Sequence, residues 1–171
     1  MNERINAVVC VDRQNAIGFG GRLLYRIPAD LRRFRRLTTG GAVLMGRRTL
    51  EALPGGLPLP GRRNLVVSSR PPQTFPAGVE VFPTPEQALQ AALAGVGFVW
   101  VIGGEAVYRA LLPRCGAVFL TRVYDTAPKA DTHFPALVGW REVPVGGVQE
   151  FRGLRFRFFR CERDASTPGR G

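Results

Sequence analysis

Phe98-Val99-Trp100-Val101-Ile102-Gly103-Gly104 runs directly into Glu105-Ala106-Val107-Tyr108. The apolar, β-branched run predicts a buried strand over Phe98–Ile102. The glycine pair breaks it, and Ala106, Val107, Ala110 and Leu111 resume at helical spacing. A strand that turns into a helix in this way is the repeating unit of an α/β sheet. The alternation extends in both directions. Ile5–Val11 predicts a strand closed by Asp12-Arg13-Gln14-Asn15, and Ala42–Met45, Asn64–Val67, Val79–Phe82 and Val118–Val123 predict further strands. Pro28-Ala29-Asp30-Leu31 opens a helix whose Leu31, Phe34 and Leu37 take one face and Arg32, Arg33, Arg35 and Arg36 the other. A short helix follows Gly46-Arg47-Arg48-Thr49 to about Leu53. Another starts at Thr84-Pro85-Glu86, with Thr84 as N-cap, and runs to about Leu93.

Two segments punctuate this pattern. Gly18–Leu24 carries three glycines and is expected to be a mobile surface loop, while Pro54–Gly61 holds three prolines and three glycines and must be a loop. Near the C-terminus, Arg141–Val145 and Arg155–Cys161 predict two antiparallel strands, the second alternating Arg and Phe as an outer strand would. The chain is therefore expected to be a single α/β domain over 1–163. Its central sheet would be mostly parallel, with antiparallel C-terminal strands and flanking helices, and 164–171 would be a frayed tail.

At 171 residues the chain is long enough for one domain with a substantial core. Its longest apolar runs are strand-length, short of the ~20 residues a bilayer span requires, and the N-terminus lacks a signal-peptide pattern. Cys10, Cys115 and Cys161 are too scattered for a disulfide framework, which fits a cytoplasmic protein. Basic residues outnumber acidic ones 24 to 13, and all but Lys129 are Arg. That balance would suit a nucleic-acid binder. It would equally suit a basic surface with an anion site, and the arginines are spread along the chain without a basic tail or a recognisable nucleic-acid-binding motif.

Ligands of open α/β sheets sit at the carboxyl ends of the strands. Four segments thus carry the candidate chemistry: 18–30, 46–49, 68–70 and 103–108. Gly103-Gly104 exposes backbone N–H groups suited to phosphate, although a plain tight turn fits as well in isolation. Gly46-Arg47-Arg48-Thr49 and Ser68-Ser69-Arg70 offer guanidinium forks and hydroxyls; together with the glycine pair they suit a nucleotide with an additional phosphate, NADP rather than NAD. Asp30, at the start of an apolar helix face, could bind an amidine-like edge bidentately, or serve only the helix dipole. His133, the only histidine, is expected to be a structural turn residue. No zinc or di-metal ligand set can be assembled, and no metal is expected.

Seven motifs occur in order: Ala16-Ile17-Gly18, Pro28-Ala29-Asp30-Leu31 with Phe34, Met45-Gly46-Arg47 with Thr49, Pro58 with Pro60-Gly61-Arg62, Val101-Ile102-Gly103-Gly104, Leu120-Thr121, and Asp131-Thr132-His133-Phe134-Pro135. In this order and spacing the chain resembles the dihydrofolate reductase family over about residues 5 to 162. The resemblance implies a monomer that transfers a hydride from NADPH to C6 of 7,8-dihydrofolate and adds a proton at N5, giving 5,6,7,8-tetrahydrofolate. Asp30 would grip the 2-amino group and N3 of the pterin, supported by Thr121. Val8, Val9, Cys10 and Ile102 would line the pterin and nicotinamide pocket, Phe34 would pack on the substrate, and Arg62 would pair with the α-carboxylate of the folate tail. Arg47, Ser68, Ser69 and Arg70 would hold the 2′-phosphate, and Thr49 with Gly103-Gly104 the pyrophosphate. Ile17, Gly18, Gly46, Arg48, Glu105, Ala106 and Val107 would complete the cofactor site, with Tyr108 near the nicotinamide. The loop 18–24 would be a lid, and water the immediate proton donor. Leu24-Tyr25 stands where the family usually has Pro-Trp, so Tyr25 would be the donor to an ordered water; Leu50 replaces a common aromatic residue and Cys10 a common alanine.

Two other readings suit parts of this pattern. One is a reductase of another pterin or pyrimidine on the same fold, of the dihydromethanopterin or riboflavin-pathway type. Arg62, suited to a glutamate tail, counts against it. The other is a basic nucleic-acid-binding module.

Overall fold

The computed structural model describes residues 2–165. Eight strands form one sheet, in the order β10 (Trp140–Phe151), β11 (Leu154–Arg163), β8 (Cys115–Val123), β1 (Asn2–Val11), β7 (Val99–Gly103), β4 (Ala42–Gly46), β5 (Arg63–Val67) and β6 (Val79–Phe82). The pairs from β8 through β6 are parallel, while β8–β11 and β10–β11 are antiparallel. This is the mixed α/β sheet expected.

The parallel strands are apolar on both faces because helices cover both. Ile5, Ala7, Val9, Val11, Leu44 and Leu65 form a core with Ala88, Leu89 and Ala92 of α3 (Pro85–Ala94) and Val107, Tyr108 and Leu111 of α4 (Glu105–Leu111). Val8, Val43, Met45, Val66 and Trp100 point the other way, packing with Phe34 and Leu37 of α1 (Pro28–Thr38) and Leu50 of α2 (Arg47–Ala52). Thr84 caps α3 as expected, accepting a hydrogen bond from the Gln87 N–H at 3.2 Å.

Three expectations require correction. Gly18–Leu24 is not an open loop: β2 (Ala16–Phe19) and β3 (Arg22–Leu23) form a hairpin, extended by β9 (Thr132–His133) into a second small sheet. Gly20 and Gly21, both at positive φ, supply the two-residue turn whose twist matches a hairpin. The strand at Arg155–Cys161 is not outermost. It lies inside β10, the true edge, which is mostly exposed and interrupted by Pro144, Gly146 and Gly147.

The third correction concerns α1. Arg33 is 6% exposed, while Leu31 is 42% exposed. The inward stripe is Asp30, Arg33, Phe34 and Leu37, at i, i+3, i+4 and i+7, with Arg33 its most buried member, so the charged residues themselves set the helix phase.

Several guanidiniums act as clasps for backbone carbonyls. Arg4 donates to Gly97 O (2.9 Å) and Gly95 O (2.6 Å), Arg63 to Ala91 O (2.9 Å), and Arg163 to Leu112 O (3.1 Å). Of the tail expected at 164–171, Asp164 gives its N–H to Gly139 O at 2.9 Å, and 166–171 lie outside the described residues. No described helix is long and apolar enough to cross a membrane.

Candidate active site

Because β1, β7, β4 and β5 run parallel, their carboxyl ends lie along one edge of the sheet. Asp30, in the first turn of α1, accepts a 2.6 Å hydrogen bond from Thr121 Oγ1 of β8. Thr121 is 1% exposed, so this donor is fixed to the sheet. Burial pushes the Asp30 carboxyl above the ordinary carboxylate value; the Thr121 hydrogen bond and the Arg33 charge oppose that rise. Near it, Val8, Phe34 and Ile102 belong to one apolar cluster. Cys10 adjoins that surface, and burial, reinforced by Asp30, raises its thiol pKa well above normal.

At the carboxyl end of β7, Gly103 adopts φ +122°, which side chains rarely allow. A Cβ there would lie 3.3 Å from the Tyr108 ring and 3.5 Å from Thr49 Oγ1; one on Gly104 would lie 3.7 Å from the same hydroxyl. The two glycines therefore form a bare backbone cradle beside the Thr49 hydroxyl, and the peptide between them is cis. The 46–49 and 68–70 segments are neighbours because β4 and β5 pair in register, Gly46 with Val67. At this edge Arg47 is half-buried and pairs with Glu51 at 2.7 Å, Ser68 Oγ accepts the Arg70 N–H at 3.1 Å, and Arg48, Ser69 and Arg70 are exposed. These donors and the bare cradle fit a dinucleotide phosphate chain.

At the far end of α1, Arg62 is half-buried. It donates to Pro60 O (2.9 Å) and Thr38 Oγ1 (3.1 Å), which aims the guanidinium along the helix. Burial and the neighbouring Arg35 lower its pKa, as expected for a cation that lacks an anion.

Some expected site residues are placed differently. Strand alternation sends Val9 to the face opposite Val8, into the α3–α4 core, and Val107 faces the same core. Both can reach a ligand only through the backbone. Ile17 also joins that core. The Tyr108 hydroxyl donates to Val8 O at 2.7 Å and its ring meets Phe134 edge-on at 4.8 Å, so Tyr108 is a buried pin rather than a free donor. Tyr25 packs with Ile27 and Phe156, and its hydroxyl lies 3.4 Å from Asp125. Burial, then Asp125, pushes its phenol up to about 12.

The β2–β3 hairpin is tethered at both ends. Asp12, 0% exposed, accepts the N–H groups of Gln14 (2.8 Å), Ala16 (2.8 Å) and Ala127 (2.9 Å). At the tip, Asp131 accepts the Gly20 N–H at 2.9 Å, and Thr132 Oγ1 leaves no room for a Cβ on Gly18. Glu105 accepts the His133 N–H at 2.6 Å, joining β9 to the helix after the glycine pair. Here His133 contributes its backbone. Among the described residues there is no cluster of potential metal ligands. Asp12, Arg33 and Glu51 were given no role from sequence, and Asp131 only a place in the seventh motif. An aspartate following a strand is the one local sign, for Asp12.

A family model described as dihydrofolate reductase matches residues 4–163. Among curated proteins, the chain is 43% identical over 141 residues to the type 3 dihydrofolate reductase of Salmonella typhimurium, covering 81% of this chain and 84% of that one. It is 48% identical over 152 residues to the dihydrofolate reductase of Mycobacterium leprae, covering 86% and 90%. Among solved structures, the dihydrofolate reductase of Enterococcus faecalis complexed with NADP(H) and RAB-propyl superimposes with a TM-score of 0.83. It is 30% identical, and the match covers 93% of this chain and 95% of that one.

Proposed function

The chain belongs to the dihydrofolate reductase family, and on that premise we propose how its residues share the NADPH-dependent reduction of 7,8-dihydrofolate to 5,6,7,8-tetrahydrofolate. The observation that carries the assignment is the Asp30–Thr121 pair, in which a hydroxyl fixed to β8 holds the carboxylate at the first turn of α1.

When bound, NADPH supplies a hydride to C6 of the dihydropterin. The protein supplies orientation, exclusion of water and electrostatics. Asp30 accepts the 2-amino and N3 hydrogens of the pterin, while Thr121 donates to the same carboxylate and fixes its orientation. Asp30 lies several bonds from N5, so water delivers the proton there. Val8, Cys10, Ile102 and Phe34 form the apolar walls, and Arg62 takes the α-carboxylate of the tail. Gly103, Gly104 and Thr49 hold the pyrophosphate, and Arg47, Ser68, Ser69 and Arg70 the 2′-phosphate. The hairpin 16–23 closes over the reacting rings. The enzyme is proposed to act as a monomer. The three free thiols support a reducing compartment, the cytoplasm.

The test is loss of the NADPH absorbance band with dihydrofolate, with dihydromethanopterin run in parallel. Turnover of dihydrofolate with NADPH and little with NADH is expected. Preference for dihydromethanopterin would overturn the assignment of Arg62.

A further inference from the structure

Arg33 is the least expected residue of the helix that carries Asp30. Its guanidinium is buried at the seam between β8 and β11, donating to Leu120 O at 3.0 Å and Phe159 O at 3.2 Å. Those two residues are register partners across the seam. The neighbouring rung pairs Thr121 with Phe158, and the guanidinium lies over the Phe158 ring, 4.5 Å from its centroid. Thr121 is the residue that donates to Asp30, and Asp30 lies one helical turn before Arg33 on the same face of α1. None of the ion pairs among the described residues involves Arg33. A buried guanidinium without an ion-pair partner is costly, and its tolerance here calls for a nearby negative charge.

We propose that Arg33 is the counter-ion of Asp30 and a positioning residue for the reduction: it clamps α1 to the β8–β11 seam one rung from Thr121 and places a positive charge beneath the substrate-binding carboxylate. The proposal rests on the assignment of Asp30 to the pterin. It acts through charge and placement, since Arg33 touches neither substrate nor cofactor. The other groups that could bias Asp30 are neutral: Cys10 of β1 and Tyr108 of α4 are both pushed up by burial. Around Arg33 itself stand Arg36 on α1, which opposes its charge, and the Cys161 thiol of β11, pushed up to about 12 and hence neutral. Among these groups Asp30 is thus the one carboxyl that Arg33 is placed to answer.

The test is the pH dependence of kcat/KM for dihydrofolate under saturating NADPH, which also holds weaker variants folded. Parent, R33M, R33K and D30N are compared, with thermal melting alongside; R33Q replaces R33M if the latter does not fold. For R33M the acid-side midpoint should move to higher pH, with a several-fold loss of kcat/KM below it. R33K should melt lower than the parent, because one ammonium cannot hold both carbonyls, yet keep the parent midpoint. An R33M midpoint equal to the parent's, with only lower melting, would overturn the proposal and leave Arg33 a structural clamp. An R33K midpoint displaced as far as that of R33M would also overturn it. If D30N retains the acid limb, the limb does not belong to Asp30, and the underlying assignment fails instead.

Discussion

On the proposed assignment of Arg47 to the 2′-phosphate, its guanidinium exchanges partners when the cofactor binds. In the free protein its guanidinium holds Glu51 at 2.7 Å, one turn along α2, with side chains 26% and 54% exposed. An exposed i,i+4 pair of this kind contributes only about 0.3–0.5 kcal/mol. A charge-assisted hydrogen bond to a phosphate contributes about 1.5–3 kcal/mol. The exchange therefore favours the cofactor by about 1–2.7 kcal/mol, or about 5- to 100-fold in affinity. Arg47→Ala should raise the NADPH dissociation constant within that range and leave NADH nearly unchanged. Glu51→Gln frees the fork in advance and should tighten NADPH by about twofold, the worth of the surrendered pair. In the double variant that gain should vanish. Calorimetric titration of both cofactors against the four proteins at one ionic strength measures all of these terms. Equal weakening of NADPH and NADH by Arg47→Ala, or weaker NADPH binding by Glu51→Gln, would refute the reasoning.

Asp30→Asn should bind NADPH nearly as the parent does and lose most turnover of dihydrofolate, as measured by cofactor titration and steady-state rates. The same change should stabilise the ligand-free protein at neutral pH, because the burial penalty on the Asp30 carboxylate outweighs its attraction to Arg33. Burial raises the folded pKa of Asp30, so its contribution to stability is fully present below the unfolded carboxylate value and is lost as pH rises through the folded one. The gain in melting temperature should therefore shrink on acidification, and a gain independent of pH would contradict this. Arg62→Leu should cost about 1.5–3 kcal/mol, mainly in KM, for dihydrofolate and nothing for a pterin without the glutamate tail. Asp12→Ala strips the acceptor from three N–H groups and should destabilise the fold by about 3 kcal/mol in urea titrations, with a looser lid raising KM.

The parallel core was legible because apolar runs such as Val99–Val101 and Val43–Met45 carry their own β-branched and apolar signature. The residues around Gly46, Ser68 and Gly103 were legible because ligand sites of such sheets follow strand ends. The lid was misjudged because two glycines suit a loop and a tight hairpin equally. Only Thr132 and His133, more than a hundred residues away, decide between them by pairing with Ala16 and Gly18. Arg33 escaped notice because hydropathy sends a charged residue outward. Its burial depends on two carbonyls and an aromatic ring from strands that follow it by about ninety and more residues. The direction of the Tyr25 hydroxyl was illegible for a related reason: Asp125, far along the chain, sets it.

The carbonyl clasps give the basic composition a different meaning. A guanidinium offers several donors in a rigid plane, whereas an ammonium is a single point of charge. Exchange of arginine for lysine should therefore be nearly silent at exposed Arg48. At Arg4 and Arg63, where one side chain serves several acceptors, it should unfasten the join between the α3–β7 turn and the neighbouring strands. Net charge would be identical in both cases. Drift between the two basic residues is thus governed position by position by the number of oxygens each one holds, so the chain could not be recoded in lysine without changing the fold's fastenings.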